Sequence, residues 1–241
     1  MAGLKVIPHS IALRYKGKST ELQKVGAALG VETLLVGRVL QRGDDLTVAV
    51  ELDDVVNGKQ LWGNRYNRKV SDLLAIQSDI AREVSQRLRA NVSASDQQQL
   101  AKGSTENSEA YQLYLKGKYH TSKFTKDEFR KGIEYFNQAL EKDPKYGLAY
   151  SGLAYYYILQ DDWYLSPNES ASKAKAAARK ALDIDESNSD AHLALAMALQ
   201  WYDWDWTGAE KEFKRAVELN PNSPDAAVLY SWLLAPMGRK E

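Results

Sequence analysis

Few side chains in this sequence have the types and spacing that catalysis or metal binding requires. The three histidines have no second histidine or carboxylate at a ligand spacing; they are His9, His120 and His192. Cysteine is absent, which excludes thiol nucleophiles, thiolate-bound metals and disulfides. Pairs of adjacent aspartates fall at predicted strand ends or turns, where solvated acids are expected; they are Asp44–Asp45, Asp53–Asp54 and Asp161–Asp162. The sequence therefore predicts no catalytic residue, no metal site and no cofactor.

Charge and motif content also exclude several classes of function. The chain contains no glycine-rich phosphate loop, nucleophile elbow or kinase signature. Lys and Arg number 32, as do Asp and Glu, so the formal net charge is zero and gives no bulk attraction to nucleic acid. The basic cluster at Arg14, Lys16 and Lys18 is typical of a solvated loop. No apolar run approaches the roughly 20 residues of a membrane helix, so neither nucleic-acid binding nor membrane insertion is predicted.

Composition divides the chain into two parts. Residues 1–103 hold 15 basic against 11 acidic residues, and residues 104–241 hold 17 against 21. Only one of the six tryptophans precedes Gly103. We therefore predict a small α+β domain at residues 1–91, a polar linker at 92–106 and helical repeats at 107–241.

The first part alternates helix and strand signals. Lys5–Ile7 is a short apolar run that suits a buried strand, and Thr20 begins a capped helix that ends at Gly30. Three strands follow, joined by turns at Arg42–Asp45 and Asn57–Gly58; they cover residues 33–40, 46–52 and 61–66. Ser71 is predicted to cap a second helix with an apolar stripe from Leu73 to Leu88. The order predicts a mixed or antiparallel sheet backed by two helices.

Several segments of this part resemble the TolB amino-terminal-like domain. The resemblance rests on Leu29–Glu32, Leu35–Val39, Leu61–Tyr66 and Ala75–Ala81, which occur in order at the expected spacing. That family precedes tetratricopeptide (TPR) repeats in bacterial signalling proteins and has a further strand and helix before the position of Lys5. The resemblance implies a parent with a serine/threonine kinase, adenylate cyclase or winged-helix domain elsewhere. It leaves the location open between the cytoplasm and the extracytoplasmic part of a membrane-tethered parent.

The second part contains an internal repeat. Ala139–Pro144, Ala181–Glu186 and Ala216–Pro221 align, with spacings of 42 and 35 residues, close to the 34 of a TPR once an insertion at 161–168 is allowed. Phe136 and Phe213 are predicted to lock neighbouring helices, and small residues mark the close approaches. We predict an all-α TPR-like helical solenoid of about three hairpins, the first degenerate around Leu115–Gly117, plus one orphan helix.

In the TPR family the first helices of the hairpins line a concave groove. Alignment with this family assigns partner-binding residues here, in addition to Leu148 and Ser151: Tyr155, Ile158, Asp190, Leu193, Met197, Trp201, Asp225, Val228 and Trp232. The three tryptophans between 201 and 206 either plug an inter-helix turn or form a rim for a peptide. The set lacks the Lys and Asn that related arrays use to clamp a terminal carboxylate, which favours an apolar partner with some basic character.

Two hypotheses from different classes follow. The first is a non-catalytic scaffold or sensor module of a larger signalling protein, which binds a protein or peptide in the groove. Self-association through an open sheet edge or the terminal helix belongs to this hypothesis, because Trp232–Leu234 is not the polar cap that a solenoid needs. The alternative is a ligand- or nucleic-acid-binding α+β domain with the repeats as a structural arm.

Overall fold

The computed structural model describes residues 6–7, 9–16, 21–88, 104–159 and 165–238. These residues form two compact units, divided between residues 88 and 104. The first contains a three-stranded antiparallel sheet with helices, and the second is helical and TPR-like. The predicted fold class is therefore confirmed. The linker predicted at 92–106 lies outside the described residues except for 104–106.

The first unit begins with two short helical segments. Helix α1 (His9–Ala12) runs into a 3-10 turn, and α2 (Leu22–Leu29) ends at Gly30, which adopts the left-handed conformation expected of a helix C-cap (φ 64°). The strand predicted from Lys5 to Ile7 does not form at Val6 and Ile7. The predicted cap residue Thr20 lies outside the described residues.

The sheet is a meander of β1 (Thr33–Arg42), β2 (Asp45–Asp54) and β3 (Lys59–Lys69) in the order β1-β2-β3. Alternation along β2 places four apolar side chains on one face, and all are buried: Leu46, Val48, Val50 and Leu52. The second turn is held by Asp54, whose carboxylate accepts hydrogen bonds from the backbone N–H groups of Val56 and Asn57 at 3.0 and 2.9 Å.

Helix α3 (Leu73–Arg87) covers the part of this face formed by β2 and β3. Ile76 packs into a cluster with Val48, Val50 and Tyr66. The helix does not begin directly after Ser71 as predicted, because Ser71 belongs to a 3-10 turn and Asp72 is the residue that precedes α3.

Strand β1 lies at the edge of the sheet, and its apolar side chains stay exposed. Leu35 and Val39 share the face of Val48, yet they are 52% and 65% exposed because α3 packs on β3 instead. Leu40 on the opposite face is 50% exposed. Among the described residues, only β2 pairs with β1, so one edge of this ten-residue strand is open.

The described part of the second unit shows three helical hairpins and one further helix. The first helices of the hairpins are α4 (Ser108–Thr121), α6 (Gly147–Ile158) and α8 (Ser189–Ala198). Their second helices are α5 (Lys126–Lys142), α7 (Pro167–Ile184) and α9 (Trp206–Leu219), and α10 (Pro224–Leu234) follows. None of the helices described has both the length and the apolar character needed to cross a membrane.

Polar caps and small residues explain where these helices begin and how closely they pack. The Asn107 side chain accepts hydrogen bonds from the N–H groups of Glu109 and Ala110, both at 3.0 Å. Small residues at the close approaches are almost fully buried, as predicted; they are Ala174, Ala181, Ala209 and Ala216. Phe136 and Phe213 are also fully buried, so the predicted locking positions are confirmed.

The third hairpin turns through a π-helical segment, Leu199–Asp203. Trp204 follows it in the left-handed conformation (φ 56°) and is 69% exposed. Its ring contacts that of Trp206, with centroids 6.1 Å apart. Trp204 therefore does not plug the turn. For this residue the structure excludes the first of the two interpretations of the tryptophan cluster. Residues 161–164 of the predicted insertion at 161–168 lie outside the described residues, and the segment from Pro167 onward already belongs to α7.

Candidate functional site

A pocket lies between the first helices of the helical unit and contains about 470 Å³ of space, part of it open to solvent. We call it the first-helix pocket. Its lining comes from α4, α6, α8 and the start of α10, and consists of Tyr114, Lys118, Leu148, Ser151, Gly152, Tyr155, Tyr156, Asp190, Leu193, Ser223 and Asp225.

Helical spacing brings these side chains to one surface. On α6, Leu148, Ser151 and Tyr155 follow one another at i, i+3 and i+7, so they share a face. Asp190 and Asp225 are the second residues of α8 and α10, just as Leu148 is the second residue of α6. Equivalent positions of successive hairpins therefore meet in the pocket.

Four of the nine predicted groove residues line the pocket: Tyr155, Asp190, Leu193 and Asp225. Val228 and Trp232 continue the stripe of Asp225 along α10 and are 47% and 59% exposed, and Trp201 lies in the π-helical turn and is 36% exposed.

Two predicted groove residues need correction. Ile158 and Met197 have no exposed surface and belong to the hydrophobic core between the helices. Both side chains are on the predicted helices, but neighbouring helices cover them completely. Neither can contact a partner, because contact would require the hairpins to separate.

The first hairpin contributes two residues that the sequence reasoning missed, Tyr114 and Lys118. The signal for them is Gly117, which belongs to the segment that the sequence predicts to be a degenerate hairpin. A Cβ at Gly117 would overlap the ring of Phe136, so Gly117 is the small residue against which this hairpin closes. Phe136 also lies beside Gly152 of α6, which brings α4 and α6 together at the pocket.

Asp190 is the most unusual charged group in the pocket. Asp190 is an exposed residue, but atoms of the surrounding helices lie near its carboxyl group and reduce its hydration. This desolvation raises the pKa of Asp190; Lys118 counteracts the rise and the like charge of Asp225 adds to it. No donor among the described residues forms a hydrogen bond or ion pair with the Asp190 carboxylate.

Asp225 and Tyr155 form the polar contact that bridges two first helices. The Tyr155 hydroxyl donates a hydrogen bond to Asp225 Oδ2 at 3.4 Å, a long distance for this type of bond. Burial, together with the negative charge of Asp225, raises the pKa of Tyr155 above its ordinary value. Tyr155 is therefore a neutral donor at every physiological pH, and its hydroxyl faces the Asp225 carboxylate at the pocket.

The residues that line the pocket do not include a cluster of metal ligands. Among the residues that the structure describes, no three His, Asp or Glu side chains are close enough to hold a metal ion. The two histidines of the helical unit instead pair with carboxylates of following helices, at separations that the sequence did not suggest. His120 Nδ1 lies 2.9 Å from Glu128 Oε2, and His192 Nδ1 lies 2.5 Å from Glu212 Oε2.

One curated protein is similar in sequence. It is a Rhizobium meliloti (strain 1021) protein named "Putative adenylate cyclase 3", 28% identical over 154 residues. The match covers 64% of this chain and 26% of the relative, so the chain spans about a quarter of the length of the curated relative it matches. The chain matches no protein-family model.

Solved TPR structures are similar to the helical unit. The Sgt2 TPR domain from Aspergillus fumigatus is 21% identical with a TM-score of 0.44, covering 56% of this chain and 82% of that one. The first TPR of Spaghetti (RPAP3), bound to an HSP90 peptide, is 18% identical with a TM-score of 0.42. The match covers 54% of this chain and 94% of that one. The TPR domain of Arabidopsis OM64 is 18% identical with the same TM-score, covering 52% and 93%.

Proposed function

We propose that this chain is a non-catalytic protein-interaction module that binds a peptide segment of a partner protein in the first-helix pocket. The observation that carries the proposal is the pocket itself, where side chains from α4, α6, α8 and α10 converge. Apolar and aromatic walls with a few polar groups are typical of sites that recognise peptides.

The proposed binding surface extends from the pocket along α10. Asp225, Val228 and Trp232 are spaced at i, i+3 and i+7, and the last two expose large apolar area. Exposed tryptophan beside a pocket is a frequent anchor at protein interfaces. A bound peptide would place one side chain in the pocket and pack another against Trp232.

We also propose that the parent is a bacterial signalling protein and that the small α+β unit is TolB-like. The relative in Rhizobium meliloti, named as a cyclase, supports this context, because its match reaches 64% of the chain. The match covers only 26% of that relative. In this proposal a kinase, cyclase or winged-helix activity would reside in a part of the parent outside this chain.

Selection from a display library of random peptides on the immobilised full chain tests the binding function. We expect enriched peptides, and we expect Trp232→Ala to weaken their binding about tenfold or more, as loss of an interface anchor does. Phe124→Ala is the matched control, since Phe124 is an aromatic residue that is 66% exposed and does not line the pocket. If no peptide is enriched, or both variants bind like the wild type, the groove proposal is wrong.

A further inference from the structure

We propose that the partner segment is basic, and that the first-helix pocket receives an Arg or Lys side chain between the carboxylates of Asp190 and Asp225. This inference rests on the proposed peptide-binding function and specifies the partner's chemistry at the same pocket. Three features of the pocket support it: the balance of its charges, the surroundings of its two carboxylates and the residues that form its walls.

The charge balance of the pocket is negative. Two acidic side chains and one basic side chain, Lys118, line it. Lys118 forms no ion pair within 4.0 Å with either carboxylate among the residues described. The pocket therefore has a carboxylate charge without a matching cation, and a cationic side chain from a partner would supply the missing charge.

The reduced hydration of the Asp190 carboxylate strengthens the preference for a cationic side chain. Loss of hydration makes the charged form of Asp190 costly, which is why its pKa is raised despite Lys118. A cation placed beside the carboxylate offsets that cost, and charge-assisted hydrogen bonds are the stronger class of such bonds. Binding a basic side chain is therefore more favourable here than at a solvated surface aspartate.

The walls of the pocket fit the rest of an Arg or Lys side chain. Leu148 provides apolar surface for the aliphatic stem, while Tyr114 and Tyr155 offer aromatic rings near the charged end. The Tyr155 hydroxyl lies 3.4 Å from Asp225 Oδ2, so a neutral polar group stands beside this carboxylate. An acidic peptide would face the repulsion of two carboxylates in the same space.

The display selection described above tests this inference when it is run on three proteins in parallel. These are the full chain, the double variant Asp190→Asn/Asp225→Asn and the control Asp183→Asn. Asp183 is exposed on α7, a helix that contributes no residue to the pocket. We expect Lys and Arg to be enriched in peptides from the wild type and the control, and to lose enrichment with the double variant.

Synthetic copies of enriched peptides then give affinities. We expect Asp190→Asn to weaken a basic peptide about tenfold, the loss of a desolvated charge pair, and added salt to weaken it further. Lys118→Gln should strengthen the same peptide, because it removes the one repulsive charge; a purely steric pocket would not give this opposite sign. Enriched peptides without basic residues, or affinities insensitive to both aspartates, overturn the inference while peptide binding itself stands. An empty selection overturns the binding function.

Discussion

His192 illustrates how a residue that looks unremarkable in the sequence acquires a specific electrostatic role. The side chain is 8% exposed, Nδ1 faces the carboxylate of Glu212 and Nε2 lies 2.9 Å from the carbonyl oxygen of Glu186. Both ring nitrogens therefore face acceptors, an arrangement that favours the doubly protonated ring. Burial lowers the pKa of His192, but the hydrogen bonds to Glu212 and Glu186 outweigh it and raise the pKa above its ordinary value.

The direction of this shift predicts how stability depends on pH. A histidine whose pKa is raised on folding stabilises the protein fully below its unfolded pKa of about 6.5, and the contribution is lost as pH rises through the folded pKa. We expect Glu212→Gln to lower the free energy of unfolding by about 1.5–3 kcal/mol at pH 6, the range for hydrogen bonds to charged groups. The decrease in the free energy of unfolding should be smaller at high pH, where His192 is neutral in the folded and the unfolded protein.

Urea unfolding followed by circular dichroism across this pH range measures the effect. The matched control is Glu218→Gln on the same helix, because Glu218 is 64% exposed and contacts only the exposed Arg215 in a salt bridge of 3.3 Å. A pH dependence that is the same in wild type and Glu212→Gln would show that His192 is not charged in the folded protein.

At the scale of elements, Phe136 determines how the first two hairpins meet. Its ring fills the space left by Gly117 on α4 and Gly152 on α6, and it lies 5.8 Å from the ring of Tyr114 and 6.0 Å from that of Tyr156. Both tyrosines line the first-helix pocket. The packing of one buried aromatic residue therefore sets the width of the proposed binding site.

Removal of this ring should destabilise the helical unit. Phe136 has no exposed surface, so we expect Phe136→Ala to lower the free energy of unfolding by about 3–5 kcal/mol, the usual cost of deleting a buried aromatic side chain. The control Phe124→Ala removes a ring that is 66% exposed. It should change the free energy of unfolding by less than about 1 kcal/mol.

Chemical denaturation monitored by the helical signal distinguishes these outcomes. Equal effects of the two variants would contradict the central role of Phe136. A stable Phe136→Ala protein that still binds peptides normally would show that the pocket does not depend on this packing.

At the scale of the whole molecule, local patterns gave the elements, and long-range packing decided the site. Alternation along β2 predicted four buried residues because the pattern is local, and all four are buried. Alignment with the TPR family assigned Ile158 and Met197 to the groove. Their complete burial depends on how neighbouring hairpins close over them, which no local pattern encodes.

Separation along the chain explains the features that the sequence analysis missed. The His192–Glu212 contact spans 20 residues and the Tyr155–Asp225 contact spans 70. Lys118 was missed because the first hairpin departs from the repeat spacing. The exposure of β1 could not be predicted either, because the strand has the apolar sequence of an ordinary buried strand. It is exposed because α3 packs against β3 instead, and only the structure shows this.

The open edge of β1 leads to a prediction for the entire chain. A long apolar edge strand with unpaired backbone groups tends to pair with another strand. We expect the 241-residue chain to self-associate in a concentration-dependent manner, and Val39→Lys to suppress this, because a lysine on an edge strand opposes pairing. Val56→Lys is the matched control, since Val56 is 68% exposed but lies in the turn after β2.

Sedimentation velocity over a dilution series tests this expectation, because an association in equilibrium shifts the sedimentation coefficient with concentration. If β1 mediates the association, Val39→Lys sediments as a monomer throughout while Val56→Lys behaves like the wild type. If both variants associate like the wild type and Trp232→Ala alone does not, the exposed stripe of α10 is the contact instead. A wild-type chain that is monomeric at every concentration would contradict the prediction that the edge of β1 pairs, and the two arginines of this strand, Arg38 and Arg42, would then be the first residues to test as its protection.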